Sequence, residues 1–461
     1  MSDSWIALAG LFFIAGAGAW GGWLPRHLRA PLRLMCLSFG FGYAIPGAYL
    51  LAIRPVPQYG NALAFPTLAS QGYAGPLGSI FIIESLVLVL IICVYSLFFV
   101  AIKARDHDTE DATIGGARSK ALRLGLICYL ASYPTRIYVL VVQGVHNNVA
   151  SQTSLADLGK LSAAPSIIVA WLLIDGRLGW RRGERHVLLI VAVGEAFWGL
   201  IYHSKAPVLA VLVGLYCARR GTNMSRKTII LWCVVIAATF EVIGAIRVSP
   251  AAEVSLEAAS AYKPGGSGTL EHAVATPVYE LLARTDLLNS IAQVKAVGAG
   301  SYMAPSTALS TAANFALPMS LTGRPRVVSG VLWQERYFHL DTNTSIAAGL
   351  AGEGYGIAGD VGAAVEALFA GLILVLAVNG AMHSRHRLVQ LIGCSILTGP
   401  AIWEQGSLGI AASVIDSIEV GIVVSIMLVV IGSLIHVPDK GAPSVLLRAD
   451  AVGWSQGMPI A

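Results

Sequence analysis

Arg284, Arg324, Arg326 and Arg336, followed by His339 and then Glu353, are the residues whose types and order carry chemistry. Each arginine presents a planar fork of donors that matches two phosphate oxygens, so several in one segment predict a grip on a pyrophosphate. Glu353, His339 and Asp341 are the candidate general bases, a role that contributes about 10²–10⁴-fold to a rate. Glu353 ranks first. It stands in Gly349-Leu-Ala-Gly-Glu353-Gly-Tyr-Gly-Ile-Ala-Gly359, where glycines let backbone come close to a ligand. The same glycines also suit tight helix packing, with Glu353 pairing an arginine. His339, in Trp333-Gln-Glu-Arg336-Tyr-Phe-His339, offers a neutral imidazole near neutral pH.

The elements that must position these groups are membrane helices. The 461-residue chain is 56% hydrophobic and only 12% charged, the composition of an all-α, polytopic integral membrane protein. Apolar runs at 5–24, 34–53, 79–102, 122–143, 160–175, 187–203, 206–219, 228–248, 360–380, 387–403 and 416–436 predict about eleven spans. The division expected is a transmembrane bundle at 1–247, an outer loop at 248–344, further membrane helices at 345–438 and a cytoplasmic tail at 439–461. Within the loop, 270–297 has helical apolar spacing and reads as an interfacial amphipathic helix. The N-terminus lacks a basic segment before its apolar run, so no cleaved signal peptide is expected.

Lys and Arg concentrate in alternate loops, among them Arg26, Arg29, Arg33, then Arg118, Lys120, Arg123, then Arg181, Arg182, Arg185. The opposite short loops hold only Arg54, Lys160 and Lys205. By the positive-inside rule the N-terminus lies outside, the C-terminus inside, and 248–344 outside. The arginines of that long loop, with Arg247 at its root, therefore run against the usual bias, which predicts an anionic ligand at the outer face. The net charge of +5 is scattered through short loops, so no nucleic-acid partner is expected. The six cysteines are isolated in apolar segments, without the spacing of a zinc site, and neither metal nor cofactor is expected.

Ionisable residues inside spans each cost roughly 2.5–3.5 kcal/mol at a helix centre. Arg136, Glu84, Glu241, Glu366, Asp416 and Glu419 crowd toward the outer side, as a polar recess opening outward would require. Two readings of Arg136 stand side by side: it binds pyrophosphate, or it neutralises Glu84, Glu195 or Glu241 to fix packing. Lys205, in Tyr202-His-Ser-Lys205-Ala-Pro207, either adds a point charge for the same phosphate or snorkels to the interface.

The segment from Asn343 through Glu353 and Tyr355 to Gly362, running into an apolar span, resembles the matching stretch of Wzy-type polymerases of bacterial surface polysaccharide. Arg284 in the loop helix, Leu317-Pro318 before Gly323-Arg-Pro-Arg326, and the His203-Ser-Lys205-Ala-Pro207 turn extend the likeness, as does one long late loop. The resemblance implies a metal-independent glycosyltransferase of the bacterial inner membrane. It would join oligosaccharide repeat units carried on undecaprenyl pyrophosphate, at the periplasmic face and without nucleotide sugars. Donor and acceptor lipids are the implied partners, alongside membrane lipids, a chain-length regulator and a flippase. Arg136, Lys205, Arg284, Arg324, Arg326 and Arg336 would hold pyrophosphate, while Trp333, Tyr337 and Tyr355 would contact sugar. The same aromatics also suit simple interface anchoring. One departure is that Glu353-Gly354 follows His339 by fourteen residues, where related sequences space such a pair by ten, which leaves the base open.

Three rivals are weighed against this. A metal-dependent lipid-sugar transferase would place paired carboxylates in the first outer loop, yet residues 54–81 contain neither Asp nor Glu. An O-antigen ligase shares donor and arginine chemistry and differs in acceptor. A secondary transporter or lipid-oligosaccharide flippase would place its coupling charges near the midplane, between related repeats, and no repeat is found here.

Overall fold

The computed structural model describes residues 2–20, 26–53, 73–101, 114–143, 161–175, 182–201, 205–218, 287–315, 329–338, 348–384, 386–399, 402 and 405–434. Those residues are predominantly helical, with no strand among them. In chain order they form α1 (Ser2–Trp20), α2 (Arg26–Phe39), α3 (Ile45–Ile53), α4 (Ala74–Ala101), α5 (Ile114–Gln143), α6 (Ala164–Asp175), α7 (Arg182–Ile201) and α8 (Lys205–Ala218). After them come α9 (Leu288–Val297), α10 (Pro305–Phe315), α11 (Ser329–Phe338), α12 (Leu350–His383), α13 (Arg387–Thr398) and α14 (Ser407–Leu434). A π turn at Gly40–Ala44 joins α2 to α3.

Among the described residues three helices are long and apolar enough to cross a membrane: Ala74–Phe98 of α4, Leu350–His383 (α12) and Ser407–Leu434 (α14). Helices also stand at the other predicted spans, apart from 228–248, which lies outside the described residues. Several of these helices are short. The 12 residues each of α6 and α13 reach about 18 Å at 1.5 Å per residue, against a hydrocarbon core of about 30 Å.

Burial explains the arrangement. Every residue of α6 from Ala164 to Ile174 is buried, so this apolar helix is surrounded by α5, α7, α8 and α13. Helices α1 and α12 flank α4 on another side of the bundle, and α13 packs on both α12 and α14. Trp171 of α6 donates its indole N–H to Gln390 Oε1 of α13 at 3.0 Å, closing the joint between the two groups. On α12, Val361, Val365, Leu368, Leu372 and Leu376 form an exposed apolar stripe at helical spacing, as a lipid-facing surface does. From the loop region, α9 packs on α4 and α12, and α10 and α11 pack on α14. The expected helix at 270–297 is present as α9 from Leu288 onward, and residues 270–286 lie outside the described set.

Candidate functional site

The Gly-rich run that the sequence places ahead of a span is itself helical and forms the first part of α12. It is not continuous with the rest. Ala358 (φ −148°, ψ 29°) and Gly359 (φ 65°, ψ −148°) leave helical geometry, and the second of these conformations belongs essentially to glycine. The chain folds back there. A Cβ placed on Gly354 would lie 2.6 Å from the backbone of Gly362, so the half-helix at 350–357 runs against the long helix at 360–383. The break leaves carbonyls without intrahelical partners, and the Tyr302 N–H donates to Gly356 O at 2.9 Å.

This fold-back brings Glu353 to Glu366. Both are buried, at 1% and 4% exposure. Ser407, at the start of α14, has its Oγ 3.1 Å from Glu353 Oε1 and 2.7 Å from Glu366 Oε1. The Leu408 N–H donates to Glu353 Oε1 at 2.7 Å. Glu353 therefore caps the N-terminus of α14, where free N–H groups and the helix dipole favour a carboxylate. Residue 406 must be glycine for this approach, because a Cβ there would come within 2.4 Å of the Glu353 carboxyl carbon.

Aromatic rings pack beside the carboxyl pair. Trp333 stands edge-on to Tyr302 with centroids 4.9 Å apart, and 4.5 Å from Tyr337. Trp333 is fully buried and Tyr337 nearly so, so these rings face one another and not an open surface. The Tyr337 hydroxyl is 2.7 Å from Ser301 Oγ. Burial pushes the Tyr337 phenol up, and the Ser301 hydrogen bond and the Arg336 charge pull against that. Tyr355 is half-buried beneath the Lys295 ammonium, 5.0 Å from the ring centroid. Burial lowers the Lys295 amine, which the Asp360 charge partly offsets. Arg336 is exposed, and its Nε donates to Ser301 O at 2.9 Å.

Arg136 belongs to a separate cluster. Its Nη1 donates to Glu195 Oε2 at 2.7 Å and its Nη2 to Glu195 Oε1 at 2.5 Å and Ser166 Oγ at 2.8 Å. Its Nε donates to Ser162 O at 2.8 Å, and Tyr133 and Trp198 lie 5.6 and 5.4 Å from the guanidinium carbon. Of the two readings of Arg136, the packing role is the one this geometry contains: four donor contacts are made inside the protein.

Arg247, Arg284, Arg324, Arg326, His339 and Asp341 lie outside the described residues, as does the side chain of Lys205. The described residues thus bring Glu353, Tyr355, Trp333, Tyr337 and Arg336 to one region and set Arg136 apart. Sequence reasoning missed Glu366, Ser407 and Tyr302 as members of the site. The available signal was Gly359 after a glutamate, a place where a helix can reverse. Among the described residues no group of three or more His, Cys, Asp and Glu side chains could hold a metal ion. No protein family, curated protein or solved structure matches this chain.

Proposed function

We propose that this protein is a membrane glycosyltransferase that extends an oligosaccharide carried on undecaprenyl pyrophosphate, working at the outer face of the bacterial inner membrane. The observation that carries the reading is Glu353, a carboxylate fixed at the N-terminus of α14 by Ser407 and Leu408, within a glycine-rich half-helix. In the proposed reaction an acceptor sugar hydroxyl attacks the anomeric carbon of the donor. The new glycosidic C–O bond forms as the sugar–pyrophosphate bond breaks, and the hydroxyl proton passes to Glu353. His339 is the other candidate for that proton. Arg284, Arg324, Arg326 and Arg336 would meet the charge that develops on the departing lipid pyrophosphate. About eleven spans, with the N-terminus outside and the C-terminus inside, complete this reading.

A second reading draws on the break in α12. Discontinuous helices with buried carboxyls are also how carriers build substrate and proton sites. The experiment that separates the readings uses purified protein in vesicles with the lipid-linked oligosaccharide and no ion gradient. Lengthening of the oligosaccharide supports the transferase, and its loss in both Arg284→Ala and Arg336→Ala supports the pyrophosphate grip. Normal long polymer from both variants would remove the arginines from the mechanism. Movement of the lipid across the bilayer with no new glycosidic bond would replace the transferase with a carrier. Transfer only to an acceptor that is not the lipid-linked repeat would make it a ligase.

A further inference from the structure

We infer that Glu353 and Glu366 share a single proton through Ser407, with Glu366 holding the proton and Glu353 the charge. Hydrogen counting carries the argument. The Ser407 hydroxyl owns one hydrogen, yet its oxygen lies within hydrogen-bond distance of both Glu353 Oε1 and Glu366 Oε1. Two ionised carboxylates would leave one of those contacts as bare oxygen against oxygen, in a buried place where like charges are costly. At least one of the two is therefore a carboxylic acid, which donates to Ser407 while Ser407 donates on to the other carboxyl, and the free N–H groups at the N-terminus of α14 favour charge on that other one.

Two features decide which is which. Glu353 Oε1 receives the Leu408 N–H at 2.7 Å as well as facing Ser407, so this oxygen is an acceptor on both sides. Glu366 has the Ser407 and Gly354 backbone N–H groups close to its carboxyl, yet its Oε2 is buried with no hydrogen-bond partner within bonding geometry. An orphaned oxygen costs far less as the carbonyl of a neutral acid than as half of an anion. Among the described residues no cation forms a salt bridge with Glu353 or Glu366. Among the described residues the Tyr302 phenol is a further titratable group that interacts electrostatically with both.

The role of Glu366 rests on the transferase reading, in which it is a positioning residue. By keeping its proton it leaves Glu353 as the carboxylate free to accept the acceptor's hydroxyl proton, and Ser407 fixes the direction of that charge. The proton taken up by Glu353 returns to water before the next cycle, so Glu366 is unchanged over a turnover.

Infrared spectroscopy of the full-length protein in lipid nanodiscs tests this at neutral pH without any substrate. The wild type should show the carbonyl stretch of a protonated carboxylic acid that disappears in Glu366→Gln and persists in Glu353→Gln. Glu366→Gln keeps a donor toward Ser407, so it should remain folded. Ser407→Ala supplies a second measurement: the band stays and moves to higher frequency as its hydrogen bond is lost. A band that Glu353→Gln removes and Glu366→Gln does not, or that ignores Ser407→Ala, would overturn the assignment. So would no change in any variant. The readout is independent of catalysis. The expected band without oligosaccharide extension keeps the shared proton and discards the transferase; extension without the band does the reverse.

Discussion

Two of the polar clusters buried among the described residues are resolved in opposite ways. In one, Arg136 meets Glu195 with Ser162 and Ser166 completing the donor and acceptor count, and the charges cancel. In the other, Glu353 and Glu366 are both acidic and have the Ser407 hydroxyl and nearby backbone N–H groups, but no cation, against them. The first arrangement is closed: its groups are consumed by each other, which is what a packing device needs. The second meets its contacts only by holding a proton and leaves Glu366 Oε2 without a partner, which suits a site that exchanges protons. Burial of charge alone does not separate structure from chemistry; the balance of donors and acceptors does.

The largest effect should come from breaking the balanced cluster. Arg136→Ala or Glu195→Ala leaves one charge buried and should cost about 3–5 kcal/mol, read as a lower unfolding midpoint or loss of folded protein. The double replacement Arg136→Met with Glu195→Leu should recover most of that loss, since a well-packed apolar pair is often no worse than a buried ion pair. The acidic cluster should respond in rate more than in stability. Glu353→Gln should lower turnover by about 10²–10⁴-fold while the protein stays folded, and wild-type rates would move the base role to His339. Gly359→Ala forces a side chain into a conformation reserved for glycine and should cost about 1–3 kcal/mol, with loss of activity because the fold-back carries Glu353 to Glu366. The smallest effect is expected from Lys295→Met. It removes one cation over Tyr355 together with that cation's own desolvation cost, so stability should change by less than about 1 kcal/mol. A larger loss there would draw Lys295 into the site.

The helical class was legible because long apolar runs leave few alternatives, and the runs at 79–102 and 416–436 coincide with α4 and α14. The run at 160–175 was also legible as a helix, but not its surroundings. An apolar stretch reads the same whether lipid or protein covers it, and α6 is covered by protein. Glu353 stood out through its flanking glycines. Its partners did not, because Ser407 lies 54 residues further along the chain and Glu366 lies beyond a reversal. A glycine that turns a helix back and a glycine that lets two helices touch are the same letter. Likewise Arg136 and Glu195 are 59 residues apart, so pairing was one option among several until packing chose it.

The π turn at Gly40–Ala44 has a mechanical consequence. Its wider winding alters the carbonyl ladder of this helix, and the Gly42 oxygen accepts the Leu287 N–H at 3.3 Å, at the point where α9 begins. The loop helix is thus latched to an irregularity of the second helical rod. Deleting one residue from that turn would restore ordinary winding, rotate α3 by about 100° and unfasten the latch. The irregular turn works as a clasp, and its widened pitch sets where α9 is fastened against the half-helix that carries Glu353.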